Sequence, residues 1–155
     1  MNGGREGETR EMRADRNFME LLQGARVAVT GVQVLFAFLL TVPFSAAFPR
    51  LATLDRWLYF TALVAAAVAS VCYIAPAAQH RVVFRRGLKE TLVRRANLYA
   101  IAGALALLVS MTAATALVVK YLFGGWTAVV TAGAVALLGL WTWFGQAFMM
   151  RRQGP

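Results

Sequence analysis

The sequence predicts an all-α, polytopic membrane protein. The expected architecture is a bundle of four transmembrane helices with both termini cytoplasmic and a basic amphipathic connection between spans two and three. Three observations lead there. Of the 155 residues, 59% are hydrophobic and only 15% charged, against roughly half and a quarter in a soluble domain. The apolar residues fall into four long runs rather than alternating along the chain. The charge is confined to the segments before, between and after those runs.

The runs are 27–48, 57–77, 98–119 and 126–148, and none contains Asp, Glu, Lys, Arg or His. Each is long enough for the roughly 20 residues that an α-helix needs to cross a hydrocarbon core. Helices are required because the core offers no water to satisfy open backbone groups, and the period-2 alternation of a barrel strand is absent. The division expected is a cytoplasmic N-terminal segment over 1–26, a transmembrane domain over 27–148 and a short cytoplasmic tail over 149–155. The N-terminal segment begins rich in Gly, Glu and Arg, a disordered composition to about Arg13. From Ala14 to Arg26, Phe18, Leu21, Leu22 and Ala25 recur at helical spacing. This stretch is either an amphipathic helix on the membrane surface or a cytoplasmic extension of the first span. Twenty-six residues of mixed charge before the first run are unlike a cleavable signal peptide, so that run is read as a retained span.

Orientation follows from Lys and Arg. The N-terminal segment, the connection between spans two and three, and the tail together hold thirteen, whereas the other two connections hold only Arg50, Arg56 and Lys120. Positive charge is retained in the cytoplasm, which puts both termini and the middle connection inside. The aromatic residues agree. Phe44, Phe48, Trp57, Tyr59, Tyr121, Phe123 and Trp126 gather at one set of span ends, and Tyr73, Tyr99, Trp141, Trp143 and Phe148 at the other. The net charge of +9 is thus topogenic, and no nucleic-acid partner is expected.

Small residues recur every fourth position: Ala62, Ala66 and Ser70; Ala102, Ala106, Ser110 and Ala114; Ala128, Ala132 and Ala136. Such faces let helices approach closely where lipid supplies no hydrophobic drive. They serve packing of spans two, three and four, or a dimer interface.

No catalytic constellation is visible, and neither cofactor nor metal site is expected. One cysteine (Cys72) and one histidine (His80) cannot assemble a zinc site or an intramolecular disulfide. Three groups of residues are candidates for function. Arg81, Arg85, Arg86 and Lys89 mark the basic connection, with Arg81, Arg85 and Lys89 at helical spacing beside an apolar ridge of Phe84, Leu88, Leu92 and Ala96. The plain reading is orientation charge, and the sharper one is contact with anionic lipid. Gly87 is a point at which that stripe can divide. Thr30 and Gln33 share a face of span one, as Thr142 and Gln146 do in span four. These polar groups either join helices by hydrogen bonds or line a polar path. His80 is either pH-responsive or a solvated imidazole at the interface.

Two stretches carry a family resemblance. One runs from Glu20-Leu21-Leu22-Gln23 through Arg26-Val27-Ala28 and Thr30-Gly31-Val32-Gln33 to Leu39-Leu40-Thr41-Val42-Pro43-Phe44; the other holds Ile74-Ala75-Pro76, His80-Arg81, Phe84-Arg85 and Gly87-Leu88-Lys89. Over roughly Phe18 to Asn97 the chain resembles a bacterial family of small four-span membrane proteins with no established function. The resemblance implies four helices in a bacterial cytoplasmic membrane and brings no catalytic residues. Similar sequences sometimes carry the label sodium:proton antiporter. Ion-coupled transporters generally place ionisable residues inside the membrane, and these four runs have none. The expectation is therefore a non-enzymatic scaffold or accessory protein that self-associates or binds a membrane partner. A small transporter or antiporter is the alternative, and an anionic-lipid-binding protein the third reading.

Overall fold

The computed structural model describes residues 10–83, 89–146 and 148–149; within these stretches the side chains of 10–15, 17–22, 25, 80, 82–83 and 89–93 are also outside the description. The described residues are helical almost throughout, with no strand. Four long helices follow one another: α1 (Arg10–Thr41), α2 (Thr53–Val83), α3 (Lys89–Phe123) and α4 (Gly125–Leu140). All four are long and apolar enough to cross a membrane, over Arg26–Phe44, Thr53–Gln79, Arg94–Phe123 and Gly125–Gly145. α1 passes through Ala14–Arg26 into the first apolar run without a break.

Each boundary has a local cause. Pro43 cannot donate a backbone N–H, and its ring crowds the carbonyl four residues back. The α-helix accordingly stops at Thr41, short of the expected Phe48, and tightens into a 3-10 turn over Val42–Phe44. A second such turn, Phe48–Arg50, contains Pro49. α2 then starts with Asp55 in its first turn, where a carboxylate complements the helix dipole. Pro76 lies inside α2, yet the helix continues to Val83. α3 closes with Lys120 in its last turn, the favourable sign at a C-terminus. Gly124 follows with φ 97° and ψ 177°, a region essentially reserved for glycine. The N–H of Gly124 donates to the Lys120 carbonyl at 3.0 Å and its own carbonyl receives Ala128 N–H at 3.3 Å, so one residue ends α3 and starts α4.

Side-chain contacts set the register of antiparallel neighbours. Tyr59 meets Leu39, Ser110 meets Ala62, Lys120 meets Asp55, and Gln79 meets Tyr99. One number falls as its partner rises, the signature of an up-and-down bundle with short loops. The end carrying the α1–α2 and α3–α4 turns is called distal here, and the opposite end proximal.

α3 is the centre of the bundle. It packs against α1, α2 and α4, with α2–α3 the most extensive interface, and α1 and α4 do not touch each other. The buried core is made of Leu39, Tyr59, Ala62, Ala66 and Ala113, backed by Leu35, Phe36, Leu63 and Leu117. The small-residue pattern is used here for packing. Ala62 and Ala66 of α2 are fully buried and Ser110 of α3 faces them. On α3 the pattern is displaced by one residue at its proximal end. Ala102 is exposed and Gly103 is buried instead, because a Cβ on Gly103 would stand only 3.2 Å from the Tyr73 ring. α4 is seated by Leu108, whose side chain fills the space that a Cβ on Gly139 would need.

Candidate functional site

The four polar candidates of spans one and four occupy two separate places. Thr30 and Gln33 are exposed on α1, and Thr142 and Gln146 are exposed at the end of the fourth span. Since α1 and α4 make no contact, the four do not form one cluster within a chain. The threonines are satisfied locally. Thr30 Oγ1 donates to the Arg26 carbonyl at 3.1 Å and Thr142 Oγ1 to the Leu138 carbonyl at 2.8 Å. Such back-bonding to the preceding turn is the ordinary solution for a hydroxyl in a helix. The amides have no such option, and neither Gln33 nor Gln146 has a partner among the described residues.

Gln146 follows a local change in the helix. Residues Trp141–Gly145 form a π-turn, closed by the Gln146 N–H donating to the Trp141 carbonyl five residues back. The Trp141 ring lies over Gly145, where a Cβ would come within 2.9 Å of Cε3. Any larger residue at 145 would push the indole aside. Single π-turns inside α-helices recur at functional sites, and this one sits beside the unpartnered amide.

The basic connection divides between two helices. Arg81 is exposed in the last turns of α2 and Lys89 is the first residue of α3. Arg85 and Arg86 lie outside the described residues, as do the side chains of Lys89 and His80. Just beyond, exposed Arg94 and Arg95 join Asn97, Leu98 and Ile101 around an open cleft of about 610 Å³. These two arginines belong to the same basic segment but were not singled out by spacing. They stand where the segment has already become the continuous helix α3. Nearby, Gln79 Nε2 donates to the Tyr99 hydroxyl at 3.1 Å and ties α2 to α3 at the proximal end.

Three polar contacts with no sequence motif hold the distal half. In a regular helix the Leu39 carbonyl would accept from the N–H of residue 43, which is a proline. The buried Tyr59 hydroxyl takes that role, donating to Leu39 O at 3.1 Å. Ser110 Oγ, fully buried, donates to the Ala62 carbonyl at 2.7 Å. Lys120 Nζ pairs with Asp55 Oδ1 at 2.5 Å, the two side chains being 29% and 15% exposed. The proline four residues after Leu39 is the one sequence signal that marks an orphaned carbonyl; nothing local marks its donor. Between the α1–α2 connection and α3 there is also an apolar cleft of about 190 Å³, walled by Val42, Phe48, Leu51, Leu117 and Tyr121 among others.

No acid, base or nucleophile is brought beside another in a catalytic arrangement among the described residues. What the described residues present is two amides without a partner, in span one and at the end of span four, basic groups at both ends, and two open clefts. Comparison with known proteins gives no match among curated proteins and none among solved structures. A family model matches residues 7–147, so the likeness extends beyond the first two spans and through the last two. The chain belongs to a family of unknown function, DUF6328.

Proposed function

We propose that the chain is a non-enzymatic scaffold or accessory protein of a bacterial cytoplasmic membrane, with both termini inside, acting by lateral association with a second copy or another membrane protein. The observation that carries this reading is the pair Gln33 and Gln146. Gln33 is exposed within the first span and Gln146 is exposed at the residue that follows the fourth; neither has a hydrogen-bond partner among the described residues, and α1 and α4 do not touch. An amide facing hydrocarbon leaves its donors and acceptor unsatisfied, and a neighbouring helix that bonds it contributes about 0.6–2 kcal/mol. One association therefore satisfies groups that the fold of a single chain leaves open. The experiment is energy transfer between two labelled populations of the chain in liposomes, at increasing protein-to-lipid ratio, paired with crosslinking in native membranes. Association should rise with density and weaken about tenfold in Gln33→Leu/Gln146→Leu. A chain that stays monomeric at every density and captures no membrane partner would sink the proposal.

A second reading is favoured by the proximal cleft. Arg94 and Arg95 border it, and they extend the basic connection of Arg81, Arg85, Arg86 and Lys89. This supports binding of anionic lipid at the cytoplasmic face, each base contributing about 1 kcal/mol near an anionic surface. Replacing Arg81, Arg85 and Lys89 with Gln should weaken binding of a cardiolipin-type lipid, whereas three changes among the arginines of the N-terminal segment should not. The antiporter alternative gains no support from the site. Sodium-dependent proton flux in proteoliposomes would be the result that revives it.

A further inference from the structure

The distal apolar cleft is a different place from either of the sites above. It lies between the α1–α2 connection, which supplies Val42, Ala47, Phe48 and Leu51, and the last turns of α3, which supply Leu117 and Tyr121. Its volume of about 190 Å³ is walled almost entirely by carbon. A cavity of this kind gives water too few polar partners to hold it. In a bilayer the matching occupant is hydrocarbon.

The rim says which hydrocarbon. Arg50 falls between the wall residues Phe48 and Leu51 and is exposed. Arg56 Nη2 donates to the Pro49 carbonyl at 3.0 Å, which pins a second guanidinium against the same turn. A guanidinium has five N–H donors, so this bond leaves most of them available. The neighbouring acid, Asp55, is already engaged by Lys120. One arginine within the turn that helps wall the slot and another bonded to it thus keep donors open, and the planar fork of a guanidinium matches phosphate oxygens. In the orientation proposed above, positive charge on this side also works against the insertion bias. Topology does not account for these arginines.

We infer that the distal cleft binds one acyl chain of an anionic phospholipid, whose phosphate is held by Arg50 and Arg56. The lipid chain fills the slot between the connection and α3, and the head group sits over the second 3-10 turn. This site is independent of lateral association and does not rest on it.

The test uses the full chain in phosphatidylcholine nanodiscs containing a trace of phosphatidylglycerol with a photoactivatable diazirine midway along one chain. A parallel set contains the same probe on phosphatidylcholine. Adducts are mapped to peptides after illumination. Labelling should concentrate within 42–51 and 117–122, and should be stronger with phosphatidylglycerol. The variant Arg50→Gln/Arg56→Gln should lose about tenfold of the phosphatidylglycerol labelling and behave alike with both probes. Ala47→Trp, which fills the slot, should abolish labelling there with either lipid. Labelling of the cleft no greater than that of the exposed face of α4, or equal with both probes in the unaltered chain, would overturn the inference. So would labelling indifferent to the two arginines. Those arginines are at exposed positions, so that variant decides the matter even where Ala47→Trp fails to fold.

Discussion

The α2–α3 interface and the α3–α4 interface solve the same problem by different means. Between α2 and α3, small residues bring the helices together and polar groups then lock the register at three heights. These are Asp55 with Lys120, Ala62 with Ser110, and Gln79 with Tyr99. Between α3 and α4 no side-chain hydrogen bond is found among the described residues, and docking depends on Leu108 seated over Gly139. The difference matters because lipid is as apolar as the helix faces. Helix association in a membrane is left to packing and hydrogen bonds. An interface with both should hold position, while one with packing alone should slide or separate first. Apart from the π-turn that continues it, α4 touches no helix but α3, so it is the span most easily released toward a neighbouring molecule.

The largest expected effect breaks the stronger interface. Ser110→Leu removes a buried hydrogen bond and forces a bulky side chain against Ala62 and Ala66, which have no exposed surface. Overpacking of this kind costs about 1–3 kcal/mol, and the lost bond adds to it. Denaturant titration in mixed micelles should show a loss near the top of that range. Gly139→Val should cost somewhat less, about 1–2 kcal/mol, because the obstructing atoms are the ends of the flexible Leu108 side chain. Its signature should be local: faster hydrogen exchange in α4 with α2 and α3 still protected. Equal loss of protection in all helices would show that the two interfaces do not differ in the way described.

A smaller effect tests the Pro43 argument. Tyr59→Phe leaves the Leu39 carbonyl without its donor, at a cost of about 1 kcal/mol. In a Pro43→Ala background the N–H of residue 43 becomes available to that carbonyl. The cost of Tyr59→Phe should then fall by roughly half or more, a coupling readable from a double-mutant cycle. Strict additivity of the two changes would mean that the hydroxyl bonds Leu39 for reasons unrelated to the proline.

These contrasts also show what could be read in the sequence. The four spans were legible because the bilayer demands long apolar helices and the charges stand outside them. Helix ends were less so. Apolarity reports depth in the membrane rather than helix length, so α2 begins at Thr53 and runs to Val83 while its apolar run covers only 57–77. The first span erred in the other direction, since Phe44 and Phe48 remain apolar after Pro43 has ended the α-helix. The four-residue spacing of small side chains located the α2 packing face but placed Ala102 where Gly103 packs. Only the bulk of Tyr73 on the facing helix decides between them. Pairing of Thr30 with Gln33, and of Thr142 with Gln146, followed from helical geometry. Whether the two pairs meet depends on helix order around α3, and nothing along the chain encodes that order legibly.

The smallest expected effect on the single chain is the one that most sharpens the comparison. Gln33→Leu and Gln146→Leu remove amides that have no hydrogen-bond partner among the described residues. Unfolding of the monomer at high dilution in micelles should therefore change by about 0.5 kcal/mol or less, as for surface substitutions away from any network. Association between chains should fall much further. That separation distinguishes an interface residue from structural glue, because glue would cost stability in the isolated chain as Ser110→Leu does. If Gln146→Leu alone weakens association while Gln33→Leu does not, the partner surface lies on α4. That is the helix held, among the described residues, by packing without a side-chain hydrogen bond to its neighbour, and its looser docking would then be the feature that makes it available.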